Sequence, residues 1–143
     1  MNVICLYFFS LFHGLTPVTS PINHELPISI KATFEQLFPL AKAVEWEEDE
    51  MEYYLYFENG KHNVEAFISK TGQWIQTNTF IEYEELPVRA RTFIEEHYKE
   101  DIPYFDGVLQ LDTPEASYYV VTFESEGAGI NLLFTDAGDL LSE

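Results

Sequence analysis

The feature that most constrains the fold of this 143-residue chain is an internal repeat. Glu25-Leu26-Pro27 recurs 60 residues later as Glu85-Leu86-Pro87, and each copy is followed by residues spaced at i, i+4, i+7 and i+8. These are Ile30, Phe34, Leu37 and Phe38 in the first copy and Ala90, Ile94, His97 and Tyr98 in the second. Because this spacing covers one face of a helix, the sequence predicts a helix near the start of each copy.

Beyond the helices the two copies match at an offset of 66 residues, which indicates a short insertion between them. The matched strand residues are Tyr53, Leu55 and Phe57 in the first copy and Tyr119, Val121 and Phe123 in the second. Small repeats of this kind bury their apolar faces only by sharing a core. We therefore expect residues 21–143 to form one domain made of two repeats, about 25–82 and 85–143.

The first repeat predicts four strands, at residues 42–47, 53–58, 63–69 and 73–79. Asn59-Gly60 and Thr71-Gly72 are turn signals between strands. The connections are too short for the crossovers that a parallel sheet needs. The expected fold class is α+β, with two tandem helix-plus-four-stranded antiparallel units that form a sheet of up to eight strands with the helices on one face.

Residues 1–20 differ in composition from the rest of the chain. They contain no Asp, Glu, Lys or Arg, whereas all 25 acidic and all 7 basic residues follow them. The apolar run at 3–15 has the length of a signal-peptide core and is too short to span a membrane. We expect 1–20 to be a signal peptide and the mature protein, then free of cysteine, to be periplasmic or secreted. The alternative is a buried N-terminal strand or helix.

The formal charge of −18 narrows the classes of partner. Nucleic-acid binding requires a basic patch, and anionic membranes attract basic segments, so both partners are disfavoured. An aromatic content of 16% argues against a disordered chain. The remaining partners are cationic proteins, metal ions and neutral ligands.

Catalytic and metal-binding motifs are absent from the sequence. There is no G-x-S-x-G, S-x-x-K, P-loop or G-x-G-x-x-G motif. No ligand spacing joins His24, His62 and His97, and His97 is expected to be partly buried in the core. We therefore expect no enzymatic activity, no cofactor and no metal site. The acid-rich segment 45–52 leaves calcium binding as an alternative.

Aromatic residues indicate a site on the sheet. Tyr53, Leu55 and Phe57 alternate with Tyr54 and Tyr56 along one strand, and Tyr118 precedes the matching core residue of the other repeat. We expect Tyr54, Tyr56 and Tyr118 to lie on the face away from the helices, joined by Trp74, and to bind a partner. The alternative is that these tyrosines only stabilise cross-strand pairs.

Several of these segments resemble the secreted bacterial PepSY-like domains. The segments are Leu26-Pro27, Phe38-Pro39, Val44-Glu45-Trp46, Ala66-Phe67 and Gly72-Gln73-Trp74. PepSY-like domains are similar to the beta-lactamase-inhibitor protein, a tandem repeat of a helix and a four-stranded sheet. The resemblance implies a non-enzymatic binding module that inhibits a peptidase or another enzyme through its open sheet face. A calcium-binding or envelope-sensing protein and an undetected hydrolase are the alternatives.

Overall fold

A computed structural model of the chain describes residues 25–125 and 128–143. The expected signal peptide and His24 lie outside the described residues. Helix α1 (Ile28–Leu37) is followed by strands β1 (Lys42–Glu48), β2 (Glu52–Asn59), β3 (His62–Ser69) and β4 (Trp74–Ile81). Helix α2 (Val88–His97) is followed by β5 (Phe105–Asp112), β6 (Ser117–Ser125), β7 (Ala128–Thr135) and β8 (Leu140–Ser142). Short 3-10 turns, Tyr83–Glu85 and Ile102–Tyr104, flank α2.

The described strands form one eight-stranded sheet in the order β1 to β8. Every neighbouring pair is antiparallel, so each strand follows its predecessor along the sheet. Within each half the connections are too short for the crossover that a parallel pair needs. The strands β4 and β5 are also antiparallel, although α2 lies between them in the chain. The predicted α+β class, with one large antiparallel sheet and two helices, is confirmed.

Both helices pack on the same face of the sheet. Successive strand partners connect Phe57 to Val64, Thr79, Gln110, Tyr119 and Phe134. Paired residues project to the same side of a sheet. Phe57 and Val64 belong to the core under α1, and Phe134 belongs to the core under α2. The opposite side of the sheet, here called the open face, is therefore the side away from both helices.

Each helix buries a narrow apolar stripe. Ile30 and Phe34 of α1 and Ala90 and Ile94 of α2 are buried, as their spacing predicts. Leu37, however, is 40% exposed. At this end of α1 the next residue takes the core position, since the ring of Phe38 lies 4.7 Å from the ring of Phe57.

His97 corrects a prediction at the matching end of α2. It is exposed, not partly buried, and its ring stacks on Phe93 with ring centres 4.3 Å apart. The core position is again taken by the following residue, because Tyr98 stacks on the buried Phe123. The helix ends at His97, and the ring Nδ1 of His97 lies 3.0 Å from the carbonyl oxygen of Phe93 in the same helix.

Turns at the ends of strand pairs anchor the helices. The turn between β3 and β4 contains Gly72, whose carbonyl oxygen accepts a hydrogen bond of 2.6 Å from Thr33 Oγ1 of α1. The equivalent turn before β8 contains Gly138, which lies against the first turn of α2. Gly60, at the predicted Asn59-Gly60 hairpin, has a positive φ of 64°. Both turn signals between the strands of the first half are confirmed.

Candidate functional site

The open face carries a row of side chains that crosses most of the sheet. The row consists of Glu45, Tyr56, Glu65, Asn78, Leu111, Tyr118 and Thr135, which are successive strand partners from β1 to β7. Tyr56 and Tyr118 thus lie on the same face, as predicted. They are four strands apart, which corresponds to about 19 Å along the sheet.

Tyr54 lies on the same face in the neighbouring row, between Glu47 of β1 and Phe67 of β3. Its ring meets the Phe67 ring edge-on at 5.5 Å. Its hydroxyl donates a 2.5 Å hydrogen bond to Asp49 in the turn between β1 and β2. This bond lowers the pKa of Asp49 and raises the pKa of Tyr54. The hydrogen bond to the turn therefore restrains the ring to one position.

Tyr56 is half-buried and is surrounded by acids. Burial raises its pKa to about 12, and Glu47 and Glu65 contribute to the same shift. Its hydroxyl therefore stays protonated at neutral pH and can donate a hydrogen bond. A ring with a hydroxyl at its edge suits the contact region of a protein interface.

Trp74 does not belong to this group. Its strand partner is Ile68, in the core under α1, and its indole N–H donates to Thr77 Oγ1 at 2.9 Å. Thr77 in turn pairs with the core residue Ala66. A register shift beside Phe67 moves Trp74 to the helix-covered face, because a bulge changes which side a residue occupies. The expectation that Trp74 joins the tyrosines is thereby corrected.

A buried polar cluster lies at the centre of the open face and was not predicted from the sequence. Glu65, Gln76 and Asn78 are 8%, 7% and 4% exposed. Gln76 donates to Asn78 Oδ1 at 2.6 Å, and Asn78 Nδ2 donates to Glu65 Oε2 at 3.3 Å. Burial raises the pKa of Glu65. The sequence feature that indicates this cluster is the run of four polar residues at 76–79, which lies within β4 in the middle of the sheet.

The two halves of the open face differ in chemistry. Over β1 to β3 it presents the carboxylates Glu45, Glu47, Glu58 and Glu65. Over β5 to β7 its centre is apolar, with buried Leu111 and Val120 and partly exposed Leu109 and Leu133. Thr122 and Asn131 lie beside this centre and are joined by a hydrogen bond of 2.9 Å. In the described part of the chain no helix or strand lies over this face. The face thus combines an acidic half, an apolar half and three tyrosines.

Metal and histidine chemistry have little support among the described residues. In residues 25–125 and 128–143 no group of three or more His, Cys, Asp and Glu side chains could hold a metal ion. His62 lies 3.0 Å from both carboxylate oxygens of Glu85, in an ion-pair geometry away from the open face. None of the described helices is long and apolar enough to cross a membrane.

Comparison with solved structures places this architecture in a known class. The chain resembles a BLIP-like protein in its fold. It aligns with a BLIP-like protein from Bacteroides fragilis at 27% identity and a TM-score of 0.73, covering 84% of this chain and 87% of that one.

Two further structures share the fold. A DUF2874 family protein from Bacteroides uniformis has 20% identity and a TM-score of 0.73, with 82% of this chain and 88% of that chain covered. A candidate periplasmic protein from Bacteroides eggerthii has 16% identity and the same TM-score of 0.73, with 83% and 88% covered. No protein-family model and no curated protein sequence matches the chain.

Proposed function

We propose that this chain is an exported, non-enzymatic binding module that docks a protein partner on its open face and inhibits a peptidase or another enzyme. The BLIP-like fold supports protein binding as the general function. The likeness to a candidate periplasmic protein is consistent with action outside the cytoplasm. Fold likeness alone does not define a partner, so the proposal depends on the surface.

The observation that carries the proposal is the placement of Tyr54, Tyr56 and Tyr118 on one face. Tyrosine is enriched at the centres of protein interfaces, where a rigid ring adds contact area at a small entropic cost. The neighbouring carboxylates would form a polar rim, and the apolar half of the face would supply further buried area. The acidic half favours a partner with a cationic surface.

The organisation of the chain is part of the same proposal. Residues 1–20 would be a signal peptide, and residues 21–143 would be a PepSY-like domain of two repeats. The order of one helix and four strands, found twice along the chain, supports the repeat. So does the presence of a separate apolar core under each helix.

The proposed function is tested by capture of partners from the native envelope with the immobilised mature chain, followed by mass spectrometry. Replacing both Tyr54 and Tyr56 by Ala is expected to abolish capture while the protein remains folded by circular dichroism. Tyr104→Ala is the matched control, because Tyr104 is 49% exposed and lies in the 3-10 turn after α2. Capture that survives the double substitution, or that Tyr104→Ala abolishes equally, contradicts docking through the open face.

A captured enzyme provides the test of inhibition. Adding the mature chain to that enzyme is expected to reduce its turnover, and Tyr118→Ala is expected to weaken the effect. An enzyme that is captured but keeps its full turnover would contradict inhibition and leave binding intact.

A further inference from the structure

A cavity of about 260 Å³ lies on the acidic half of the open face. Its lining includes Glu45, Tyr56, Glu58, Asn63, Glu65 and Phe80. These residues come from β1, β2, β3 and β4 and occupy two adjacent rows of the sheet. We call it the acidic pocket. It lies beside Tyr56 and within the surface proposed to bind a partner.

The acidic pocket contains a buried carboxylate that has no cationic partner. Glu65 is 8% exposed, and among the described residues the one hydrogen bond found for its side chain is the 3.3 Å contact from Asn78 Nδ2. It forms no ion pair with any described residue. A buried carboxylate is costly unless a cation and hydrogen bonds compensate it. Burial raises the pKa of Glu65, and the hydrogen bond from Asn78 offsets only part of this effect.

The surroundings of Glu65 favour a cation with a flat, weakly hydrated head group. Tyr56 and Phe80 contribute aromatic rings to the lining, and Phe80 is 43% exposed. Aromatic faces attract cations, and Arg stacks on them more often than Lys does. Glu45 and Glu58 add negative charge at the exposed edge of the pocket. Lys42 faces Glu58 across the strand pair, yet within the described ranges it forms no ion pair.

The size and geometry of the acidic pocket distinguish a metal ion, a free small-molecule cation and a cationic side chain of a protein. Among the described residues no group of three or more His, Cys, Asp and Glu side chains could hold a metal ion. The carboxylates of the pocket therefore do not favour a metal ion as the occupant. At about 260 Å³ the pocket is smaller than the roughly 300–1,000 Å³ of a site for a free small-molecule ligand. A single side chain that projects from a protein surface meets both constraints.

We propose that the acidic pocket receives an arginine side chain of the protein partner, with the guanidinium group on Glu65 and against the rings of Tyr56 and Phe80. The assignment rests on the proposed function, because it places a specificity pocket within the docking face. The proposed partner therefore has an arginine side chain that projects from its surface. The guanidinium would add a positive charge and further N–H donors to the hydrogen bond that Glu65 accepts from Asn78.

The test uses the mature chain labelled with nitrogen-15 and two probes of nearly equal shape. N-acetyl-arginine amide carries the guanidinium charge, whereas N-acetyl-citrulline amide has a neutral urea in its place. The arginine probe is expected to shift the backbone amide signals of Tyr56, Glu65 and Phe80 in a saturable titration, and the citrulline probe is not. Glu65→Gln should weaken arginine binding by about tenfold or more.

Glu115→Gln is the matched control for charge. It removes one carboxylate at an exposed position in the turn between β5 and β6, and binding of the arginine probe should be unchanged. Phe80→Leu is a second variant, which removes the ring but keeps an apolar side chain, and should also weaken binding. It keeps the proposal testable if Glu65→Gln alters the polar cluster.

Three results would overturn the assignment: equal binding of the arginine and citrulline probes, an affinity unchanged by Glu65→Gln and Phe80→Leu, or tighter binding of N-acetyl-lysine amide. These results are distinguishable from failure of the proposed function. If the Tyr54 and Tyr56 substitutions abolish partner capture but the probe does not bind, the open face is the docking surface and the arginine pocket is wrong.

Discussion

Gly138 shows how one residue connects a turn to a helix. Its φ is 86°, and a Cβ added there would lie 2.8 Å from the backbone nitrogen of Ala90 and 3.0 Å from Cβ of Pro87. Both atoms belong to the start of α2, which cannot move away without losing its packing on the sheet. A side chain at this position would therefore meet backbone strain and a steric clash together.

We expect Gly138→Ala to destabilise the protein more than Gly60→Ala. Gly60 also has a positive φ, 64°, but no atom lies within 4 Å of the position that its Cβ would take. Gly60→Ala should thus cost only the left-handed conformation, about 1–2 kcal/mol. Urea denaturation of both variants measures the difference. Equal losses would show that α2 yields to the added methyl group.

Glu85 is the second residue-scale feature, because its carboxylate joins three groups. It accepts a hydrogen bond from the backbone N–H of Glu82, contacts His62 and pairs with Lys61 at 3.1 Å. These contacts, the Glu82 bond first, lower the pKa of Glu85 from 4.5 to about 2. A lowered pKa means that the ionised form favours the folded state. This stabilisation is complete above pH 4.5 and disappears as the pH falls towards 2.

We therefore expect Glu85→Gln to lower the melting temperature at pH 7 and to have little effect near pH 2. Melting curves of both proteins across this range test the linkage. Glu84→Gln is the control, since Glu84 is exposed and no hydrogen bond of its side chain is found in the described structure. A difference between wild type and Glu85→Gln that stays constant with pH would assign the effect to packing and not to charge.

At the scale of the element, each helix is attached to the sheet by very few side chains. The buried residues of α1 are Ile30 and Phe34, and those of α2 are Ala90 and Ile94. Helices of ten residues are marginal in isolation, so their stability comes from this packing. A substitution in either stripe should affect the whole domain.

Ile30→Ala and Ile94→Ala are each expected to destabilise the protein by about 2–5 kcal/mol, because both side chains are 0% exposed and their removal leaves a cavity. Controls lie on the same helices. Ile28 is 88% exposed and Val88 is 67% exposed, so alanine there should change stability by about 0.5 kcal/mol or less. Chemical denaturation of the four variants tests the prediction. Equal effects of buried and exposed positions would contradict the packing described for the helices.

At the scale of the whole molecule, the charge of −18 opposes compaction. Four of the seven cations already pair with carboxylates in the described structure, namely Lys31, Lys61, Lys70 and Arg89. Most of the 25 acids therefore have no cation to offset them. Mutual repulsion of this kind weakens as salt screens it.

We expect the melting temperature to rise with sodium chloride, and to rise no further in calcium chloride at matched ionic strength. The described acids lack a group that could hold a metal ion, so calcium should act only by screening. Scanning calorimetry in both salts tests this expectation. Extra stabilisation by millimolar calcium would indicate a specific site and would favour the calcium-binding alternative.

Local features of the sequence predicted most of the secondary structure. The alternation of Tyr53, Leu55 and Phe57 with Tyr54 and Tyr56 defines β2 because strand geometry repeats every two residues. The strand boundaries differ from those predicted by no more than two residues, as between 73–79 and β4 (Trp74–Ile81). Gly60 and Gly72 predict turns because glycine adopts a positive φ easily, and both residues have a positive φ in the structure.

The positions that sequence reasoning misplaced depend on neighbours from other strands. Trp74 is expected on the open face because its neighbour Ile75 matches Leu141 of the second repeat, but the bulge opposite Ile68 reverses the side. His97 fits the helical stripe, yet α2 ends there and Tyr98 takes the core position. No pattern of adjacent residues predicts where a bulge falls or which residue at the end of a helix packs against the sheet.

The sequence by itself determined two helices, a series of antiparallel strands and two tyrosines of β2 on one side of it, since periodicity and turn chemistry are properties of adjacent residues. Only the tertiary structure decided that Glu65 is buried at the centre of the sheet and that Phe80 shares a cavity with it. Glu65 and Phe80 lie on different strands, and the register between those strands depends on packing across the entire sheet. The acidic pocket is therefore a product of strand pairing, which joins residues that the chain itself keeps apart.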